Sequence, residues 1–347
     1  MQAGSTHNRW ALILAGGSGT RLRELTREIA GDDRPKQFCP VLGGATLWDE
    51  TRSRAGLVVP PDRIVSVLTA SHERYFGPLR AGFPPSTLVV QPEERGTAAA
   101  ILYGLLRIAR TGGTDPVVVL PSDHYVSDDA AFMLRVEAVF RAVETRPDLV
   151  VLLGLRADHP EVEYGWIEAG PPLAEAGGPT LYRVKRFWEK PAAATARMLL
   201  ARGCLWNSFV MVGRVPAFLA LIRRVAPGLL DALQGLASVL GTDLEPGAAR
   251  AAYRRLPSVN FSREVLTACP ANLAVLPVAG VVWTDLGTPA RVLGTLARTG
   301  ARPAWLEAAK AGIGRAPNRG ASRRPRRLAA WSTTPSPSPA TPEPGLA

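Results

Sequence analysis

Residues 10–38 read WALILAGGSGTRLRELTREIAGDDRPKQF, an apolar run that ends in a glycine-rich turn, an arginine and, further on, a lysine. Ala11 to Ala15 is short, continuous and bounded by glycine, the pattern of a fully buried strand in a parallel sheet. Gly16, Gly17 and Gly19 remove the Cβ where the backbone must turn sharply and approach another group closely. Thr20 to Arg27 has the pattern of a following helix, so the turn's free N–H groups and the positive helix end point at an anion. Arg21 and Lys36 add full positive charges to those partial ones. A tight strand-to-helix connection would use the same glycines, so the turn alone leaves an anion site and a plain connection both open. It is not a P-loop, because no Lys-Ser or Lys-Thr follows the last glycine, and Arg21 and Leu22 stand where a dinucleotide fingerprint has its final glycine.

The 347 residues, 46% of them hydrophobic, can bury a full core as one large domain or two modest ones. The net charge of +11 suggests nucleic acid until it is located. Residues 310–347 hold seven of the 41 basic groups and one of the 30 acidic ones, so +6 belongs to this tail and +5 to the body. A mildly basic body suits phosphorylated substrates at least as well as a polynucleotide, which calls for a basic stripe with interleaved aromatics. Lysine occurs at Lys36, Lys185, Lys190 and Lys310 against an arginine background, so a lysine inside a motif suggests a site wanting a compact ammonium. Chance is the competing explanation. Cys39, Cys204 and Cys269 are odd in number and lack metal-ligand spacing, which fits a reducing cytosol. MQAGSTHNRW has no apolar signal core, and no stretch approaches the ~20 apolar residues of a membrane span, so the expectation is a soluble cytoplasmic protein without membrane partners.

Strand–helix alternation continues along the chain. Strands are expected at 63–70 and 88–91 with a helical segment His72 to Arg80 between them, then a helix Gly96 to Arg110 with Ile101, Leu105 and Ile108 on one face. Asp115 to Leu120 and Leu149 to Leu155 follow as strands around a helix Phe132 to Glu144. Four or five such units predict an α/β fold with a doubly wound, mostly parallel sheet and its ligand at the carboxyl ends of the strands. In the second half, strands at Tyr164 to Glu168, Arg183 to Glu189 and Leu205 to Val212 suggest a mixed sheet built onto the parallel one. Ala192 to Arg202 and Val215 to Val225 read as helices, Asp231 to Arg255 as interrupted helix, and Ala274 to Trp283 as a last strand pair. The division expected is a flexible 1–8, a domain over 9–300 with halves 9–155 and 156–300, and a disordered 312–347 of Arg, Pro and Ser.

Asp123, in PSDH after the apolar run VVVL, puts a carboxylate where ligands collect, although a turn or cap aspartate has the same look. Asp285 repeats the arrangement in TDLG. Two carboxylates at strand ends suit one Mg²⁺, which takes one or two carboxylates and leaves its other positions to water and phosphate. Phe187 to Pro191, FWEKP, sets an acid and a base behind two aromatics, as a pocket rim does and as a solvated loop also can.

The pairing of GGSGTRL with RPKQF resembles the signature of the sugar-1-phosphate nucleotidyltransferases, and RPKQF is similar to the mannose-1-phosphate guanylyltransferase branch. Six motifs in family order over roughly residues 9–300 carry the likeness, which implies a Rossmann-like nucleotidyltransferase fold with a mixed-sheet sugar-binding part. It further implies that Asp123 and Asp285 hold the catalytic metal. Glu189 would accept sugar hydroxyls, Lys190 would hold the sugar phosphate, Tyr164-Gly165 would form the sugar-contact loop, and Asn207 would read sugar hydroxyls. VVQPEERGTAAA resembles the base-reading loop, with Gln91 facing a base edge and Gly96 and Thr97 offering backbone groups at a helix start. Gly16, Gly17, Gly19 and Thr20 would hold the nucleotide, with Arg21, Lys36 and Lys190 acting on phosphates. The implied reaction joins a nucleoside triphosphate, GTP by this branch, to a sugar-1-phosphate such as mannose-1-phosphate. Another base or sugar, a non-catalytic nucleotide-sugar sensor and a nucleic-acid binder acting through the Arg-rich tail remain the alternatives. Three features depart from the family pattern: the acids Asp32 and Asp33 before RPKQF, Phe209 where the family usually has glycine, and SVNFSREVL, which lacks an expected acid and tyrosine. No appended β-helix or cupin domain, and so no second activity, is expected.

Overall fold

The computed structural model of the chain describes residues 8–173 and 179–313, with side chains as far as residue 308. Residues 1–7 and 314–347, which contain most of the two ends expected to be flexible, lie outside the described residues. The strands in chain order are β1 (Trp10–Leu14), β2 (Ile64–Thr69), β3 (Leu88–Gln91), β4 (Pro116–Pro121), β5 (Tyr125–Val126), β6 (Val150–Arg156), β7 (Gly165–Leu173), β8 (Leu181–Glu189), β9 (Leu205–Arg214), β10 (Leu273–Val278) and β11 (Trp283–Thr284). Nine of them form one sheet in the order β3-β2-β1-β4-β9-β6-β10-β8-β7, and β5 pairs with β11 in a separate ribbon. The pairs β1–β2, β2–β3, β1–β4 and β6–β10 are parallel, whereas β9 runs antiparallel to both β4 and β6.

The parallel strands are mostly apolar because both faces are covered: every residue of β2, including Ser66 and Thr69, and of β4 is buried. Helices α1 (Arg23–Ala30), α2 (Leu47–Ala55), α3 (Glu73–Phe76), α4 (Gly96–Gly112), α5 (Asp129–Thr145), α6 (Ala193–Ala201), α7 (Val215–Val225), α8 (Pro227–Gln234), α9 (Glu245–Tyr253), α10 (Pro289–Thr299) and α11 (Ala304–Ile313) complete the fold. Leu12, Val65 and Val67 pack toward α4, α7 and α8, while Ala11, Ile13 and Leu68 pack toward α2 and α5. The α/β, largely parallel architecture expected from the alternation is therefore present.

Four details differ from the sequence expectation. The segment 72–80 is one α-helical turn, Glu73–Phe76, between 3₁₀ turns, because Gly77 and Pro78 stop its propagation. Helix α1 starts at Arg23, with Thr20–Leu22 wound as a 3₁₀ turn after left-handed Gly19. Ala274 to Trp283 is not a strand pair: Gly280, at φ 84°, turns the chain out of the sheet, leaving β10 beside β6 and β11 beside β5. Past residue 300, α11 packs on, with Trp305 and Leu306 joining Leu22, Leu25 and Val41 and the Trp305 indole donating to the Val41 carbonyl at 3.2 Å. The strand β9 also lies between β4 and β6 rather than beyond them, so the second half of the sequence contributes to the middle of the sheet.

Burial of the Glu50 carboxyl on α2 raises its pKa to about 7, with Asp129 and Asp49 adding to the rise and Arg54 opposing it. Below pH ~4.5 the group is protonated in both folded and unfolded chains; above that the unfolded chain ionises first, and the folded chain loses stability until about pH 7. Glu50→Gln is expected to leave the melting temperature unchanged at pH 4 and raise it at pH 8; equal shifts at both pH values in calorimetry would contradict this.

Candidate active site

Strands β1 and β4 run side by side and in parallel, so the glycine-rich turn and the PSDH loop leave the sheet at the same edge. Gly16 sits against the side chains of Thr69 and Gln91, where an added Cβ would come within 2.5 Å of the Gln91 amide nitrogen. Thr69 donates to the Gly16 carbonyl at 2.9 Å and accepts from Gln91 at 3.0 Å, so this glycine is required by close approach and the turn is braced from behind. The Gln37 amide donates to the carbonyls of Ala15 and Gly17 at 3.0 and 2.7 Å, which ties RPKQF directly to the turn. Gly17, Ser18, Thr20 and Arg21 face solvent at the mouth.

Lys36 is buried, and its ammonium meets three groups at once. It donates to the Asp285 carbonyl at 2.5 Å and to the Leu286 carbonyl at 3.4 Å, and it lies 3.2 Å from a carboxylate oxygen of Asp123. Leu286 takes φ 48°, a conformation unfavourable for a leucine that turns its carbonyl into this site. The lysine thus joins the Asp123 carboxylate to the main chain of the Asp285 turn. Asp285 is further bound by the Gly287 N–H at 2.8 Å and the Arg291 guanidinium at 2.7 Å on one oxygen, with Arg21 3.6 Å from the other. Burial alone would raise its pKa, but Lys36 and Arg291, helped by His124 and the Gly287 amide, bring it below the usual carboxylate range. Burial lowers the pKa of His124, beside Asp123, which opposes the fall.

Arg291, in the first turns of α10, is a residue the sequence reading missed. It bridges Asp285 and Glu161, the latter at 2.5 Å, and covers the Tyr164 ring at 4.5 Å from its centroid. An arginine six residues after an expected site aspartate, in the first turn of the helix that follows, is the only signal that could have found it. Glu161 and Glu163, which precede the predicted Tyr164, are likewise part of the site: Arg21 pairs with Glu163 at 2.8 Å. The Tyr164 hydroxyl lies 3.3 Å from Thr284 and donates to Asp285 at 3.4 Å, its pKa pushed up to about 12, mainly by burial.

The sugar-contact candidates form a second cluster adjoining the first. An added Cβ on Gly165 would meet Glu189 at 3.1 Å and Asn207 at 3.2 Å, so the three residues share one wall. β9 has a register shift here: Ser208 donates to the Leu153 carbonyl at 2.6 Å in place of a ladder bond, and Phe209 turns to φ 61°. The Asn207 side-chain oxygen accepts the Phe209 N–H at 3.1 Å, leaving the amide NH₂ as the group it can offer outward. The left-handed Phe209 explains in physical terms why a glycine would be at ease there. Burial raises the pKa of Glu189, opposed by Lys190 and by Arg263 from SVNFSREVL. Lys190 itself is exposed at φ 45°, held by its N–H on the Tyr164 carbonyl at 3.2 Å, and among the described residues its ammonium has no hydrogen-bond or ion-pair partner.

Asp32 and Asp33 do not face the phosphate site. Asp32 takes up the Arg34 guanidinium at 2.8 and 3.0 Å, and Asp33 pairs with Arg27 of α1, so both acids are neutralised by neighbours close in sequence. The Thr97 hydroxyl is committed to packing, accepting the Phe261 N–H at 2.8 Å, which leaves only its backbone for a ligand.

Comparison with known proteins agrees with this geometry. The family model described as nucleotidyl transferase matches residues 10–297. The chain belongs to the nucleotidyl transferase family. It is 34% identical over 288 residues to the xanthan biosynthesis protein XanB of Xanthomonas campestris pv. campestris (strain B100), covering 80% of this chain and 57% of that one. To the mannose-1-phosphate guanylyltransferase of Klebsiella pneumoniae it is 30% identical over 232 residues, 64% of this chain and 46% of that one. The crystal structure of mannose-1-phosphate geranyltransferase from Thermus thermophilus superposes with a TM-score of 0.69 at 34% identity, over 82% of this chain and 79% of that one. The chain spans about half the length of the curated relatives it matches. The resemblance of GGSGTRL and RPKQF to sugar-1-phosphate nucleotidyltransferases therefore holds at the level of the family. Among the described residues no helix is long and apolar enough to cross a membrane.

Asp123 and Asp285 also bear on a divalent ion. No group of three or more His, Cys, Asp or Glu side chains able to hold a metal occurs among the described residues. The donors available are Asp123 and the second oxygen of Asp285, two hard oxygens that fit an ion taking its remaining positions from phosphate and water.

Gly96 opens α4 at φ 77°, and an added Cβ would lie 2.3 Å from the Val259 carbonyl oxygen. Gly31, at φ 78°, has nothing within 4 Å. Gly31→Ala should cost about 1 kcal/mol and Gly96→Ala about 2–4 kcal/mol, the excess being the collision with Val259. Equal losses in urea unfolding would remove that backbone contact as the reason for the glycine.

Proposed function

We propose that this chain is a sugar-1-phosphate nucleotidyltransferase that makes GDP-mannose from GTP and mannose-1-phosphate, with release of pyrophosphate. The observation that carries this reading is the convergence of Lys36, Asp123 and the Asp285 loop at the mouth of the glycine-rich turn. The name of the Klebsiella relative, mannose-1-phosphate guanylyltransferase, supports the mannosyl and guanylyl choice.

The sugar phosphate is already an anion, so its attack in line on the α-phosphorus needs no general base. Phosphoryl-type transfer then depends on positioning and charge neutralisation. The exposed N–H groups of Gly17 to Thr20 and the Arg21 guanidinium suit the triphosphate, and Arg21 is free to leave its exposed pair with Glu163. Lys36, fixed by two carbonyls, supplies a compact charge that does not have to be ordered during the reaction. Gly16 and Gln91 back the base loop. Glu189, the Asn207 amide and the backbone of Gly165 would take sugar hydroxyls, and the unpartnered Lys190 would take the sugar phosphate. Asp123 and Asp285 would hold Mg²⁺, which when bound neutralises phosphate oxygens.

A pyrophosphate-release assay over a matrix of nucleoside triphosphates and sugar-1-phosphates with Mg²⁺ should give its highest kcat/KM for GTP with mannose-1-phosphate. Release with another pair would replace the substrates and keep the reaction, whereas silence throughout would end the enzymatic reading. In the same assay Asp123→Asn and Asp285→Asn should each abolish turnover with the melting curve retained.

Lys190→Ala should raise the KM for the sugar phosphate about tenfold or more, the loss of one charge-assisted contact, with the KM for the triphosphate unchanged. A rise in the triphosphate KM instead would move Lys190 to the other substrate.

A further inference from the structure

A cleft of about 810 Å³ runs along the edge strand β3, reaching from Phe83, Leu88 and Val90 on one face of the sheet around to α4 and α9 on the other. Its volume is within the range of small-molecule sites. One wall is apolar, made by Leu88 and Val90 of β3 together with Phe83, and the facing wall carries Arg107, Arg110 and Arg250.

The charges are not balanced internally. Arg80 pairs with Glu73, and Arg107 pairs with buried Glu245, whose carboxylate also accepts from Tyr103 at 2.7 Å. Arg107 is 8% exposed and its Nε, which has no hydrogen-bond partner, is closed off from the cleft, so this residue shapes the wall through its pair with Glu245. Arg110 has only the Ala237 carbonyl, at 3.4 Å, and among the described residues Arg250 has no partner. Asp243, at the same cleft, is a carboxylate without a donor among the described residues. The free Arg250 fork and the Arg110 fork, held only by one long bond to a carbonyl, suit phosphate, a lone carboxylate suits a sugar hydroxyl, and the apolar wall of Leu88, Val90 and Phe83, whose ring Arg52 covers at 4.1 Å, suits a planar base.

The cleft also reaches the back of the nucleotide loop. Val90 and Pro92, which line it, flank Gln91, and Tyr103 packs on Tyr253 at 5.9 Å between ring centroids. The Tyr253 hydroxyl donates to Gln91 at 3.4 Å, and Gln91 braces Thr69 and Gly16.

We propose that this cleft is a second binding site for a nucleoside phosphate, separate from the glycine-rich mouth and backing onto Gln91. Arg110 and Arg250 grip the phosphates, Asp243 takes a ribose hydroxyl, and the wall of Phe83, Leu88 and Val90 receives the base without reading its edge. Binding in the cleft does not depend on the transfer reaction.

Equilibrium dialysis with radiolabelled GDP tests it. The wild-type chain should bind two equivalents. The double variant Arg110→Ala/Arg250→Ala, whose changes are both on exposed side chains, should weaken one of them about tenfold or more and leave the other within about twofold. Lys36→Ala should weaken the other equivalent and spare the first. Fewer than two equivalents in the wild type, or two unaltered ones in the double arginine variant, overturns the proposal. Two equivalents together with silence in the pyrophosphate assay would retain the cleft and reject the transferase.

Discussion

The candidate site depends on one buried ammonium. Lys36 has left water almost completely, a state that is tolerable for a charge only when carbonyls and a carboxylate surround it. Those partners come from two places far from it in sequence: the Asp123 loop after β4 and the Asp285–Leu286 turn after β11. Lysine suits the position because its compact charge can bond two carbonyls and a carboxylate from one point, where a planar guanidinium would demand a flat partner. The turn that supplies the carbonyls holds Leu286 at positive φ, so local backbone strain is maintained where the charge is satisfied.

Around this point the chain separates charges that serve the mouth from charges that serve the fold. Asp32 and Asp33 are each spent on a nearby arginine, Arg34 of the same loop and Arg27 of α1, and add no repulsion where phosphate would enter. Arg291 neutralises Asp285 and Glu161 together, so two acids can stand in one mouth. Lys190 and Arg21 remain near solvent, the first unpaired and the second in an exposed pair worth little, and are therefore free to meet an incoming anion. Among the described residues the three non-glycine residues at positive φ, Lys190, Phe209 and Leu286, all lie in or next to this region.

Much of the fold is legible from hydrophobic pattern. Strands β1, β2, β4 and β6 are mostly apolar runs because both faces are buried, and α4 shows its apolar stripe directly. Pattern fails where the local preference is weak. The run from Ala274 to Trp283 looks uniform, yet Gly280 divides it between two sheets. Helix α11 gives little local signal because its value lies in Trp305 and Leu306 packing on residues nearly three hundred positions earlier.

The sequence by itself determined the alternating α/β architecture, the glycine-rich turn, and the identity of Arg21, Lys36, Asp123, Asp285, Glu189 and Asn207 as site candidates. These are local matters: a buried strand must be apolar, a close turn must lack Cβ, and chemistry needs particular side chains. Only the tertiary structure decided that β9 runs between β4 and β6, that Arg291 joins Asp285 to Glu161, that Asp32 and Asp33 turn away, and that Gln91 is reached from behind by Tyr253. Each of these is a pairing across a long sequence separation, set by which surfaces bury together and which charges are satisfied when they do.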